Sequence, residues 1–171
     1  MSGKLENAIR ESLLEFAQEV TRTGWRGRER EAVSLYAFGF LLPRCRPGTP
    51  LHDPTQIGLD VAVGQLAGPG RKPQVCKDLV IWPKPAMVCW DETGRPTRQP
   101  LAILEWKART TKVSTYDESW LCQFSAMTPH FRGYAIGINP QGDSTTLVAS
   151  RLVGGVLTRN WIHVTDGRTS V

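Results

Sequence analysis

The chain has no long apolar run: its longest, residues 35–42, is far too short to cross a bilayer, which argues against a membrane-spanning helix. The N-terminus lacks the basic-then-apolar grading of a secretion signal and carries Glu6, Glu11 and Glu15 instead, so a soluble, cytoplasmic protein is expected. Histidine is scarce, at three residues, and the four cysteines, Cys45, Cys76, Cys89 and Cys122, form no Cys-x-x-Cys pair. Reduced, mostly buried thiols are therefore expected rather than a zinc site. There is no internal repeat and no low-complexity tract. With 171 residues, 40% of them hydrophobic, the chain can bury one sizeable core but hardly two, which predicts a single domain. The net charge of +5 favours polyanionic partners.

What is there centres on Leu101-Ala-Ile-Leu-Glu-Trp-Lys107. Four apolar residues without proline or glycine suit a strand buried on both faces, and alternation then projects Glu105 and Lys107 to one side. Burying two charges side by side costs several kcal/mol unless each finds a partner, so a strand that ends this way invites a chemical explanation. A second strand-like run, residues 75–82, carries Asp78, which stands beside Glu105 if the two strands pair.

Around this pair the chain reads as follows. Leu5, Ile9, Leu13, Phe16 and Val20 recur every three or four residues, predicting an amphipathic helix over 3–20 that packs as a lid or brace. Residues 21–30 form a basic connector. A second helix is expected over 28–40, with Glu29, Ala32 or Val33, Tyr36 and Gly39 or Phe40 on one stripe and Pro43 as its stop. Strands are expected over 57–66, over 75–82, in a short piece at 87–90, and over 101–107. A third helix should open on a capping box at 115–118, bury Trp120, Phe124 and Met127, and end at Pro129. Strands over 133–138 and within 146–164, divided by Asn139-Pro140 and Gly154-Gly155, close the chain. This order predicts an α/β sandwich with a mixed sheet.

Asp78 in Lys-Asp-Leu-Val-Ile, Glu105-Trp-Lys107 at a strand end, and an acidic helix ahead of the first strand resemble the PD-(D/E)xK nuclease superfamily, the restriction-endonuclease-like fold. The resemblance implies an αβββαβ core over about residues 25–138, with the first helix and connector, 1–24, and the closing strands, 139–171, outside it. The run Arg28-Glu-Arg-Glu-Ala-Val33 is similar to the corresponding helix of archaeal Holliday-junction resolvases, where the first glutamate helps to bind metal; this points to Glu29, or else Glu31. Two departures stand out: Lys77 replaces the proline before Asp78, and the segment from Asp78 to Glu105 is long. Asp60 in the first strand is the reserve acid.

What the resemblance implies is a Mg2+- or Mn2+-dependent endonuclease acting most naturally on DNA, in a restriction, recombination, mobile-element or phage-defence setting. Asp78, Glu105 and the carbonyl of Trp106 would be metal ligands. Lys107 would orient the attacking water and Glu29 would complete the site. Arg26, Arg28, Arg30, Arg109 and Lys112 are candidates for backbone-phosphate contacts. Trp25, Trp106 and Trp120 are candidates for base stacking or for core packing. Target choice would come from a homodimer, from a larger protein complex or from nucleic-acid structure. The competing readings are a catalytically inactive nucleic-acid-binding or assembly subunit of the same fold, and a small interaction protein in which the Glu-x-Lys pair is only structural.

Overall fold

The computed structural model describes residues 2–165 and 168–169. Helix α1, Ser2–Thr23, buries the predicted stripe of Leu5, Ile9, Leu13, Phe16 and Val20. It ends at Gly24, whose φ of +64° suits glycine, while the Trp25 amide donates back to the Val20 carbonyl in the manner of a Schellman cap. Rather than lying over the fold as a lid, α1 shares one core with Leu104, Trp106, Tyr134 and Ile136 of the sheet.

Helix α2, Glu29–Tyr36, is shorter than expected and passes into a π turn, Ala37–Leu41, and then a 3-10 turn, Leu42–Arg44, that contains Pro43. The wider i→i+5 turn rotates the apolar stripe by about one residue. Ala37 and Leu41 are therefore buried where Gly39 or Phe40 was expected; Gly39 is exposed and Phe40 only half-buried.

Strands β1, Ile57–Gly64, β2, Gln74–Ile81, and β3, Ala102–Ala108, pair antiparallel in sequence order. Helix α3, Thr115–Met127, carries the chain to β4, Arg132–Gln141, parallel to β3. Strands β5, Ser144–Val153, and β6, Val156–Thr165, continue antiparallel, and a two-residue strand β7, Arg168–Thr169, extends the mixed sheet. The two faces bury different sets. Leu79, Ile81, Leu104, Trp106 and Tyr134 lie under α1 and α2, whereas Val80, Ile103, Ala135 and Leu152 lie under Trp120, Leu121 and Phe124 of α3. The molecule is thus an α/β protein with helices on both sides of its sheet.

Several local expectations are corrected. No strand forms at 87–90; Val88 and Trp90 are exposed, and the following turn is organised by Asp91, which accepts from the Thr93 amide at 2.8 Å, the Arg95 amide at 2.9 Å and the Thr97 hydroxyl at 2.8 Å. An aspartate gathering nearby donors competes with a strand ladder. The N-cap of α3 is Ser114, which accepts from the Asp117 amide, and not Thr115. Glu118 is buried instead and accepts from the Ser150 hydroxyl at 2.7 Å, while Met127 at the helix end is exposed. Asn139 and Pro140 do not interrupt β4, which runs through both to a turn at Gly142. Of the cysteines, Cys89 is buried but Cys76 is exposed.

The long segment between β2 and β3 docks against β1 at Gly64, where an added Cβ would stand 2.4 Å from the Pro96 carbonyl oxygen. Gly64→Ala is accordingly expected to destabilise the fold by about 1–3 kcal/mol in urea unfolding, since backbone must move to admit the methyl. A loss within about 0.3 kcal/mol, inside the usual range for an innocuous surface change, would show that the segment is not seated there.

Candidate active site

Strands β2 and β3 share only three register pairs, Ile81 with Ala102, Val80 with Ile103 and Leu79 with Leu104. The next position would oppose Asp78 and Glu105, but there the ladder stops, although β2 extends back to Gln74 and β3 onward to Ala108. The two strands part as a fork. The Trp106 amide, without a β2 carbonyl to meet, donates to Asp78 Oδ2 at 2.8 Å. A carboxylate thus replaces a ladder bond, so the Trp106 amide keeps a partner where the strands separate.

Glu105 Oε1 accepts from Lys77 Nζ at 2.5 Å, with the two side chains 8% and 2% exposed. The same ammonium lies 4.0 Å from the centre of the Trp120 ring. Burial pushes the Glu105 carboxyl upward, to about 7, against the charge and hydrogen bond of Lys77; the nearby charges of Asp78 and Asp117 push in the same direction as burial. Lys107 Nζ donates to Glu29 Oε1 at 3.2 Å, tying the end of β3 to the first turn of α2. For Lys107 the largest single effect is desolvation, which lowers its pKa, but the hydrogen bond and charge of Glu29, with the charges of Asp78 and Asp117, prevail and the net shift is upward. Both groups therefore feel the charges of Asp78 on β2 and of Asp117 in the first turn of α3.

A narrow cleft of about 40 Å³ between α2 and the sheet is lined by Glu29, Arg30, Asp60 and Asp78, among others. The structure separates the alternative acids by environment. Glu29 reaches Lys107, whereas Glu31 accepts from the Arg28 amide at 2.5 Å and caps α2. Asp60 is exposed, has a φ of +50° that few non-glycine residues adopt, and faces Arg30 at 3.7 Å. Asp78 is the acid at the mouth of the fork; Asp60 flanks it.

The donor set suits a hard divalent cation in kind: two carboxylates and a backbone carbonyl are oxygen ligands of the type Mg2+ prefers, with its remaining positions left to water and phosphate. Among the described residues Asp78 Oδ1 and Glu105 Oε2 accept no hydrogen bond, so each acid keeps an oxygen free. The described residues contain no ready-made cage of three or more histidine, cysteine, aspartate or glutamate side chains.

The basic residues are dispersed in role. Arg26 Nη2 donates to the Gly142 carbonyl at 2.8 Å and Arg109 Nη2 to the Arg26 carbonyl at 3.1 Å, so these two brace loops as well as presenting charge. Arg28, Arg30 and Lys112 are exposed. Trp106 is wholly buried against Phe16 and Tyr36, and Trp120 stacks on Phe124; neither ring is open to a base. Trp25 packs edge-on against Phe16. The residue that the sequence pattern leaves without a role is Lys77, noted only for the proline it replaces; its signal is a second charge directly beside Asp78, just ahead of the apolar run 79–82.

No membrane-crossing helix occurs among the described residues. Comparison of the chain with models of protein families, with curated proteins and with solved structures returns no match.

Proposed function

We propose that the chain is a metal-dependent nuclease of the PD-(D/E)xK type that hydrolyses phosphodiester bonds in DNA. The observation that carries this reading is the fork: strand pairing ends at the register position of Asp78 and Glu105, with Lys107 two residues beyond and Glu29 bonded to it. The order of one helix, three strands, helix and strand supports the restriction-endonuclease-like assignment.

Asp78, Glu105 and the carbonyl of Trp106 would hold Mg2+ or Mn2+. Such a cation, when bound, supplies positive charge against the phosphate oxygens and acidifies water. The chain's own groups do the rest. Asp78, fixed by the Trp106 amide, and Glu105, fixed by Lys77, present oxygens that need no reorganisation. The Lys107 ammonium orients the attacking water and stabilises the negative charge that grows on it, while Glu29 limits where that ammonium can swing. Arg28, Arg30 and Lys112 supply exposed positive charge for the phosphate backbone, which positions DNA without reading its sequence. Target choice then rests with a homodimer, a partner complex or DNA structure, within a restriction, recombination, mobile-element or phage-defence system.

The test is incubation with supercoiled, linear and branched DNA, and with RNA, in Mg2+, Mn2+ or EDTA. Cleavage is expected with either cation, none in EDTA, and a drop of about 10²- to 10³-fold in Asp78→Asn, which keeps the shape but loses the charge. The Lys77–Glu105 ion pair favours a second reading, a non-catalytic nucleic-acid-binding subunit. Salt-sensitive binding with no cleavage under any cation would establish it and end the first.

A further inference from the structure

Lys77 has no part in the reading above beyond steadying Glu105, yet its placement is unusual. A lysine almost fully withdrawn from water normally needs its charge answered, and here the answer is a single carboxylate oxygen and one aromatic face. The ammonium is pinned from two sides, by Glu105 Oε1 at 2.5 Å and by the Trp120 ring at 4.0 Å. Glu105 Oε1 is therefore committed to Lys77, and only Oε2 is without a donor among the described residues.

The ammonium on Oε1 opposes, by its charge and by its hold on that oxygen, a cation that would take both oxygens, and leaves Oε2 as the open one. That distinction separates two hard cations. Mg2+ takes six ligands in tight octahedral geometry and accepts carboxylates through single oxygens, and Mn2+ suits the same oxygen-rich sites; Ca2+ takes up to eight and commonly uses both oxygens of one carboxylate. We propose that Lys77 is a positioning residue that keeps Glu105 monodentate and thereby sets the cation preference of the fork toward Mg2+ and Mn2+ over Ca2+. The inference rests on Glu105 being a metal ligand, as the proposed function has it.

The experiment is calorimetric titration of the intact chain, without DNA, with Mn2+ and Ca2+ separately, on the wild type, Glu105→Gln, Lys77→Met and Lys77→Arg. Wild type is expected to bind Mn2+ in a manner weakened by Glu105→Gln. Lys77→Met, with both Glu105 oxygens released, is expected to raise the affinity for Ca2+ relative to Mn2+ by about tenfold, the effect of gaining one carboxylate oxygen. Lys77→Arg, which keeps a donor on Oε1, should retain the wild-type ratio. A merely structural role would weaken both cations together and leave the ratio unmoved, and that result overturns the inference while sparing the nuclease reading. Mn2+ binding indifferent to Glu105→Gln overturns both. Should Lys77→Met not fold, a Mn2+-soaked crystal of the wild type decides the matter: Oε2 alone on the cation with Lys77 still on Oε1 supports the inference, and a bidentate Glu105 or a displaced Lys77 refutes it.

Discussion

Lys107→Ala is expected to lower metal-dependent DNA cleavage by about 10²- to 10⁴-fold while leaving the fold in place, the usual range for losing a positioned proton-handling group. The ammonium sits where the fork opens, bonded to Glu29 and within the fields of Asp78 and Asp117. Its ion pair with Glu29 is partly solvated, at 36% and 39% exposure, so its loss costs under about 1 kcal/mol of stability. Chemistry and stability are thereby separable at this position. Single-turnover cleavage rates at saturating DNA, alongside thermal melting, provide the measurement. A rate within about threefold of wild type, less than the usual contribution of such a group, would remove Lys107 from the reaction. Glu29→Gln, which keeps an acceptor for the ammonium, is expected to cost less.

Lys77→Ala is expected to behave in the opposite way, as a stability change first. Removing one partner leaves Glu105 buried and unpaired, which costs about 3–5 kcal/mol, or roughly 6–20 °C in melting temperature for a chain of this length. The contact between the ammonium and Trp120 disappears as well. The paired replacement Lys77→Met with Glu105→Leu should recover most of that loss, because two apolar side chains of similar volume carry no desolvation cost. A double-mutant cycle in urea measures the coupling. A single-mutant loss under about 1 kcal/mol, the range of exposed pairs, would mean that the Lys77–Glu105 bond is solvated and weak.

These expectations differ in how visible they were along the chain. The α1 stripe from Leu5 to Val20 was legible because a 3.6-residue period needs no partner to be recognised. The strand at Ala102–Ala108 was legible because residues 101–104 are apolar without a breaker, follow Pro100, and give way to an alternation that carries Glu105 and Lys107. Asp78 and Glu105 were placed by supposing that their strands pair, and pairing stops just short of them. The π turn after Tyr36, the buried Glu118 and the cap at Ser114 were hidden, since each is chosen by packing or by a donor elsewhere in the fold.

The sequence by itself determined the strongly periodic first helix and the main strands, and which strand would carry an acid beside a base. It did so because periodicity and the absence of breakers act over a few residues. Tertiary structure alone decided which charges meet: Lys107 with Glu29, 78 residues away, and Glu105 with Lys77 across a fork between two strands. A charge buried from water takes whatever partner the packed core leaves within reach, and the core exists only once distant elements have closed on one another.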